Sequence, residues 1–146
     1  MQIAGRLASA GIHYMLTGSM AMAVYATPRM TRDIDMVVDI DRGYLDTLVR
    51  LFERDCYIDR SAVAEAIESK EFERRREINV RGSTLLVVAP EDLIVSKLEW
   101  ARETGSELQR RDVRDMIASV PVLDWDYLEQ WSDRPGLVSI LREVRG

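Results

Sequence analysis

The feature that most constrains this chain is a glycine-serine turn followed downstream by two alternate aspartates. Residues 12–16 form a short strand candidate, Thr17-Gly18-Ser19 breaks it, and Ser19 can cap a helix that continues to about residue 25. Residues 33–40 predict a second strand, because apolar side chains alternate along it. The order strand, glycine-serine turn, helix and acidic strand predicts a mixed α/β front half.

The two aspartates of the second strand, Asp33 and Asp35, are candidate metal ligands. Successive side chains of a strand alternate between its faces, so both carboxylates point the same way. Two like charges this close repel unless a cation bridges them or solvent surrounds the strand end. Mg²⁺ or Mn²⁺ prefers such oxygen ligands, and phosphate oxygens complete its coordination. Alone, an Asp-x-Asp pair is more often an ordinary strand edge than a binding site.

The glycine-serine turn is suited to bind phosphate, which complements a cation held by the two aspartates. Gly18 lets the backbone approach a ligand closely, and the helix that follows presents free N–H groups to phosphate. Ser19 adds a hydroxyl, and Arg32, beside the acids, is a candidate either to steady a triphosphate or to cap the sheet. The turn and the acidic strand together predict a site for phosphate and a divalent cation.

The rest of the chain predicts one hairpin and a series of helices. Apolar residues at helical spacing predict a helix over residues 44–54, and a more polar helix is expected over residues 61–69. Strands at 78–80 and 84–88 flank a turn at Arg81-Gly82-Ser83. Pro90, followed by two acids, marks a helix start. The C-terminal helices are expected over residues 90–103, 108–119, 124–131 and 137–144.

Length and composition fit one α+β domain. The chain has 146 residues, of which 47% are hydrophobic and 31% charged, as in soluble globular proteins with a single core. We expect a small mixed β-sheet core flanked by helices in residues 1–89, a C-terminal helical bundle in residues 90–146, and a cleft between them. Trp100, Trp125 and Trp131 are expected in the core rather than as base-stacking groups. The basic runs 74–76 and 110–111 are expected on solvated faces.

Net charge and cysteine content exclude several classes of protein. A formal charge of -5 argues against a broad basic nucleic-acid surface and leaves room only for a local basic patch. The single cysteine, Cys56, excludes an intramolecular disulfide and a cysteine zinc cluster.

The N-terminus lacks signal-peptide features, and no segment approaches the roughly 20 apolar residues that span a bilayer. We expect a cytoplasmic protein that does not enter the membrane.

A second constellation joins the two longest predicted helices. Lys97 lies on one helix and Asp112 on the next, and a short break around Gly105 separates them. Helices joined this way pack antiparallel, so the two side chains can meet. A lysine there would bind phosphate as a point charge, oriented by the aspartate. On spacing alone, a structural salt bridge is the simpler interpretation.

These motifs resemble a known superfamily. The strand, the glycine-serine turn, the helix and then Thr31-Arg32-Asp33-Ile34-Asp35 look like the signature of the DNA polymerase β-like nucleotidyltransferases. Lysine followed by Arg111-Asp112 and Asp115 resembles the C-terminal motif of abortive-infection (AbiEii-like) and related minimal nucleotidyltransferase toxins. The resemblance spans about residues 12 to 132. It implies that Asp115 is structural and that four residues are catalytic, namely Asp33, Asp35, Lys97 and Asp112.

The resemblance implies transfer of a nucleoside monophosphate from a nucleoside triphosphate to an RNA or protein hydroxyl. Asp33 and Asp35 would hold Mg²⁺ or Mn²⁺, and Gly18, Ser19 and Arg32 would bind the triphosphate. The acceptor would be a tRNA 3′ end or a protein side chain. The cellular role would be that of a toxin paired with an antitoxin protein, or that of a stand-alone relative.

The sequence departs from the superfamily pattern at one place. Many members carry a third carboxylate on a later strand, but residues 66–72 run through that place without a visible strand, and Glu77 is the only nearby substitute. Loss of this ligand would slow activation of the acceptor hydroxyl by several orders of magnitude. Two alternatives therefore stay open: a catalytically degenerate member that binds nucleotide or a partner, and a structural or interaction domain whose acids bind nothing.

Overall fold

The computed structural model describes residues 2–40, 42–54, 73–80, 82–134 and 136–146. Within them the fold is α+β, as the sequence predicts, with a four-stranded mixed sheet flanked by helices. The expected helix over residues 61–69 lies outside the described residues. None of the described helices has the length and apolarity that crossing a membrane requires.

The described helices are α1 (Gln2–Ser9), α2 (Gly18–Tyr25), α3 (Leu45–Phe52), α4 (Pro90–Thr104), α5 (Glu107–Ser119), α6 (Trp125–Trp131) and α7 (Leu137–Arg145), with a 3-10 turn at Arg42–Tyr44. The described strands are β1 (His13–Leu16), β2 (Met36–Asp39), β3 (Arg76–Val80) and β4 (Ser83–Val87).

The sheet has the strand order β2-β1-β4-β3. Strand β1 is antiparallel to β2, with Leu16 opposite Met36, and parallel to β4, with Leu16 opposite Val87. Strands β3 and β4 form the predicted antiparallel hairpin. The end of β1, the start of β2 and the end of β4 therefore lie together, at what we call the site end of the sheet. The glycine-serine turn, the Asp-x-Asp segment and helix α4 all meet the sheet at this end.

Strand β2 begins at Met36, so the prediction of a strand from residue 33 is wrong for its first residues. Thr17 N–H still donates to the Asp35 carbonyl (3.0 Å). However, β1 ends at Leu16 and α2 begins at Gly18, so no further strand residue extends the ladder. Asp33 and Asp35 consequently precede the strand, and both are exposed.

The expected Ser19 cap of helix α2 does not form. Thr17 occupies the N-cap position in extended backbone, and its side chain makes no capping hydrogen bond. Gly18 follows with a φ of 58°, a left-handed conformation that favours glycine. Because the helix begins at Gly18, Ser19 already lies inside the first turn, where its side chain is buried.

One hydrophobic cluster joins the sheet half and the helical half. Gly105 ends α4 in a left-handed conformation, and Ser106 caps α5 by accepting a hydrogen bond from Gln109 N–H. This tight connection folds α5 back against α4. Helix α6 begins as predicted, with Asp124 accepting a hydrogen bond from Tyr127 N–H. The cluster includes Met15 and Met22 from the front half and Leu93, Ile94, Leu98, Val113, Met116, Leu128, Leu137 and Leu141 from the helices.

The three tryptophans do not share one environment. Trp125 packs against the core cluster, as expected. Trp131 is 37% exposed and Trp100 is 59% exposed, so a core position is the wrong prediction for both. The buried face of α4 is already filled by smaller apolar residues such as Leu98 and Ala101, and Trp100 projects outside that face.

Two buried carboxylates, Glu91 and Asp92, fasten the start of α4 to partly exposed arginines; we call Arg74, Arg76, Glu91, Asp92 and Tyr127 the anchor cluster. Arg74 lies 3.2 Å from Glu91 and 3.1 Å from Asp92, and its guanidinium lies 3.6 Å from the Tyr127 ring centre. Arg76 lies 3.6 Å from Glu91, and Tyr127 donates its hydroxyl to Asp92. Burial acts to lower the pKa of Arg74, but Asp92, Tyr127 and Glu91 outweigh it and the net pKa is raised. The prediction of a solvated basic run is therefore wrong for Arg74, which is partly buried against both carboxylates, whereas Arg76 is exposed as expected.

Candidate functional site

A cavity of about 330 Å³ lies at the site end of the sheet. Its wall is formed by the glycine-serine turn, the loop that leads to β2, and parts of helices α4 and α5. Segments that are remote in sequence thus reach one place because three strand ends coincide there. The wall consists of Thr17, Gly18, Ser19, Arg29, Thr31, Asp33, Asp35, Leu93, Ser96, Lys97, Trp100 and Gln109.

The acidic part of the wall is held by backbone contacts. Thr31 Oγ1 accepts a hydrogen bond from Asp33 N–H (3.3 Å), and the Asp35 carbonyl accepts one from Thr17 N–H (3.0 Å). A Cβ added to Gly18 would lie 2.0 Å from Asp35 Oδ2. The Asp35 carboxylate lies against the turn at a distance that only glycine allows, so this close approach explains the glycine.

The carboxylates of Asp33 and Asp35 are suited to a divalent cation. Both residues are exposed and line the cavity, and no residue in the described ranges forms an ion pair with either carboxylate. Such oxygens are the ligands that Mg²⁺ prefers, and two of them leave coordination positions for phosphate and water. Among the described residues, no group of three or more His, Cys, Asp or Glu side chains could hold a metal. The described part of the chain therefore fits a two-carboxylate site that a bound phosphate would complete.

The basic part of the wall is formed by Arg29 and Lys97, which share the buried Asp112 behind them; we call these three residues the cavity cluster. Lys97 Nζ lies 2.7 Å from Asp112 Oδ2 and 3.0 Å from Gln109 Oε1. Arg29 Nε lies 3.2 Å from the same Asp112 oxygen. Asp112 is 2% exposed and Lys97 is 5% exposed. Two cations and one carboxylate leave one net positive charge beside the cavity, and burial strengthens its attraction for an anion.

Five of the predicted site residues line the cavity: Gly18, Ser19, Asp33, Asp35 and Lys97. Asp112 lies behind Lys97 and contacts it, as packing of the two helices predicts. Arg32 is exposed outside the wall, and Asp115 lies about one turn beyond Asp112. Glu77 is exposed on β3, two strands away from β1, and does not reach the cavity. The segment 66–72, where a third carboxylate is expected in relatives, lies outside the described residues.

Arg29 is the site residue that sequence reasoning missed. It lies in the loop between α2 and β2, its side chain is 29% exposed, and it contacts an aspartate 83 residues further along the chain. A loop residue has no periodicity to mark it. The only available signal was its position between the glycine-serine turn and the acidic motif.

Residues 5–143 match a family described as "Nucleotidyltransferase of unknown function (DUF6036)". The chain belongs to this family. The match extends from α1 into α7, so the turn, the acidic pair and the cavity cluster all lie within it. Membership in the nucleotidyltransferase superfamily, which the motifs predict, is thereby confirmed. The AbiEii-like subtype stays a prediction.

A solved structure shares the fold of this nucleotidyltransferase-family chain. An antigenic nucleotidyltransferase-like protein from Paracoccidioides brasiliensis aligns with a TM-score of 0.58 and 19% sequence identity, covering 96% of this chain and 88% of that chain. At this identity the likeness shows the fold alone. No curated protein matches the chain.

Proposed function

We propose that this protein transfers a nucleoside monophosphate from a nucleoside triphosphate to an acceptor hydroxyl, with Mg²⁺ or Mn²⁺ as cofactor. The observation that carries the proposal is that a free carboxylate pair and a surplus of positive charge line one cavity. A triphosphate with its divalent cation has the complementary charges. Its phosphates suit Lys97 and Arg29, and its cation suits Asp33 and Asp35.

The groups of this chain divide the work of binding. Asp33 and Asp35 hold the cation, which when bound neutralises phosphate charge and the charge that develops on the reacting oxygens. Lys97 and Arg29 attract the triphosphate, and Asp112 keeps the ammonium in place. The N–H groups at the start of α2 supply further hydrogen bonds to phosphate.

The reaction is a substitution at the α-phosphorus. The oxygen of the acceptor hydroxyl bonds to this phosphorus while the bond to the oxygen that bridges to the β-phosphate breaks. Pyrophosphate leaves with the electron pair of the broken bond, and the hydroxyl proton passes to solvent. The chain contributes mainly positioning and charge neutralisation.

The acceptor in this proposal is an RNA hydroxyl, such as a tRNA 3′ end, or a protein side-chain hydroxyl. The net charge of -5 favours an acceptor that is contacted locally at the cavity over one bound along a broad basic surface. A cytoplasmic toxin of the AbiEii-like kind, restrained by an antitoxin protein, is the cellular role that the Lys97 and Asp112 motif supports.

A second candidate function is nucleotide binding without transfer. The described residues place two carboxylates at the cavity, and no third one joins them there. A third ligand would help to activate the acceptor hydroxyl. A protein with two carboxylates would still bind nucleotide with Mg²⁺ and would act through a partner.

Thermal shift and a transfer assay with nucleotide labelled at the α-phosphate separate the two functions. Nucleoside triphosphate with Mg²⁺ should raise Tm, because it binds only the folded chain, and label should appear on tRNA or protein. Asp35→Asn should abolish the magnesium-dependent rise and reduce transfer at least ~100-fold. Asp39→Asn, an exposed aspartate at the far end of β2, is the matched control and should change neither.

The outcomes distinguish all three interpretations. Transfer that depends on Asp35 supports the enzyme. A rise in Tm without any transfer supports the binding protein. If millimolar nucleotide with Mg²⁺ leaves Tm unchanged, both functions are rejected and a structural role remains.

A further inference from the structure

Trp100 is a wall residue of the cavity to which the proposed chemistry gives no role. Trp100 lines the cavity and is 59% exposed, although indole is a large apolar group that proteins usually bury. The other apolar residues of α4, such as Leu98 and Ala101, are buried, and its other exposed residues are polar or charged. An exposed aromatic ring on the wall of a polar cavity is therefore the exception on this helix.

The position of Trp100 relative to the phosphate-binding group is set by helix geometry. Residues three and four apart lie on one face of a helix, so Trp100 shares a face with Lys97 and Ser96. Three residues correspond to about 4.5 Å along the helix axis. Trp100 therefore leaves the helix about one turn beyond Lys97, toward the C-terminal end of α4, and both side chains line the cavity. A nucleotide held at Lys97 by its phosphates has its sugar and base displaced from that point.

The other two tryptophans have partners that explain them. The Trp131 ring lies 5.7 Å from the Tyr127 ring and 5.6 Å from the Arg134 guanidinium. Trp125 packs against the core and lies 4.0 Å from the Arg145 guanidinium. Within the described ranges, no ring or guanidinium contacts the indole of Trp100.

We propose that Trp100 is the stacking platform for the nucleobase of the bound nucleoside triphosphate, an inference that rests on the proposed function. Every base has a flat π-face, so stacking on indole adds affinity with little preference among the four bases. The phosphates at Lys97 and the base at Trp100 make two subsites along one face of α4. Affinity for nucleotide over free polyphosphate comes from the second subsite.

The test compares ligands with and without a base. Inorganic tripolyphosphate and each of the four nucleoside triphosphates are titrated, all with Mg²⁺, into the full chain. Trp100→Ala should weaken the nucleoside triphosphates about tenfold, to near the affinity of tripolyphosphate, and leave tripolyphosphate unchanged. Trp100→Phe should keep most of the affinity. The matched control is Trp131→Ala, a partly exposed tryptophan away from the cavity, which should alter neither ligand.

Fluorescence provides a direct readout. The chain has three tryptophans, so the double variant Trp125→Phe, Trp131→Phe leaves Trp100 as the sole indole. A nucleoside triphosphate should quench its emission, and tripolyphosphate should not.

Each failure has a distinct meaning. If tripolyphosphate and nucleotide both bind but Trp100→Ala changes neither affinity, the stacking inference is overturned and the proposed function stands. If neither ligand binds the unmodified chain, the proposed function itself fails. A single-stranded oligonucleotide without a triphosphate provides the third arm. If only its binding depends on Trp100, the platform serves the acceptor and the inference is again overturned.

Discussion

Two ionic clusters built on buried carboxylates lie along α4, and they differ in how completely their charges are matched. In the anchor cluster, the carboxylates of Glu91 and Asp92 face the guanidinium groups of Arg74 and Arg76, so the formal charges cancel. The Tyr127 hydroxyl and the Asp124 N–H donate further hydrogen bonds to these carboxylates. In the cavity cluster, two cations share one carboxylate oxygen and one positive charge is left over.

This difference in charge matching suits the anchor cluster to a structural role and the cavity cluster to ligand binding. A buried cluster whose charges and hydrogen bonds are satisfied internally has nothing left to offer a ligand, and its role is to hold elements together. A cluster with surplus positive charge beside a cavity has charge left to offer an anion, which is the role that the proposed function gives it. Similar residue types, about one and a half helical turns apart along α4, therefore differ in the charge left for a ligand, because their partners differ in number.

The largest effect is expected from a substitution that disrupts the anchor cluster. Glu91→Leu removes a carboxylate that is 1% exposed and leaves the two guanidinium groups and the Asp124 N–H without that acceptor. The free energy of unfolding, measured in urea, should fall by about 2–3 kcal/mol, because solvent and Asp92 still stabilise the two guanidinium groups. Glu103→Leu, an exposed glutamate on the same helix, should change it by less than ~0.5 kcal/mol. A loss below ~1 kcal/mol for Glu91→Leu would show that the anchor cluster is dispensable.

The second-largest effect is expected from a substitution that disrupts the cavity cluster but preserves the fold. Lys97→Met removes the surplus charge, while Arg29 still neutralises Asp112. Transfer or nucleotide affinity should fall about 100- to 1,000-fold, and stability should change much less than in Glu91→Leu. Arg102→Met, an exposed cation on the same helix, is the control. Equal losses of stability in the two cluster variants would erase the distinction drawn between the clusters.

The smallest expected effect concerns Tyr25, whose hydroxyl interacts electrostatically with Arg76, Glu91 and Asp92 of the anchor cluster. Tyr25 donates its hydroxyl to the Val88 carbonyl (2.7 Å) at the entrance to α4. Burial, chiefly, raises the pKa of Tyr25 to about 12. The protonated hydroxyl thus stabilises the fold below pH ~10, and this contribution is lost as the pH rises toward 12.

Tyr25→Phe should cost about 1 kcal/mol of unfolding free energy at neutral pH. The difference between the two proteins should shrink as the pH rises from 10 toward 12, and chemical denaturation across that range measures it. A difference that stays constant with pH would mean that the buried hydroxyl is not what Tyr25 contributes.

Local signals predicted the helical half well. Pro90, Gly105 and Asp124 act at helix ends through their own backbone or side chain, so the sequence alone places the ends of α4 and α6 closely. The contact of Lys97 with Asp112 also followed from two helices and a short connection. These predictions succeeded because each depends on residues close together in the chain.

The remaining features depend on long-range packing. Strand β2 is shorter than its alternating pattern because its partner β1 ends at Leu16, which no pattern within β2 reveals. Arg29 and Arg74 find buried carboxylates only after the chain has folded. Trp100 has helical spacing typical of a core residue, but the rest of α4 had already filled the core-facing side.

The single Asp112 oxygen that both cations contact also determines when the cavity can exist during folding. Lys97 reaches it from a neighbouring helix, but Arg29 reaches it across 83 residues, so that contact closes only after the entropy of a long loop has been lost. A partly folded chain therefore lacks a complete cavity wall, and would bind the proposed nucleotide poorly. Under the proposed function, nucleotide at one hundred times its Kd would add about 2.7 kcal/mol to the stability of the finished fold. Cellular nucleotide would then shield completed chains from proteases and leave unfinished ones open to cleavage.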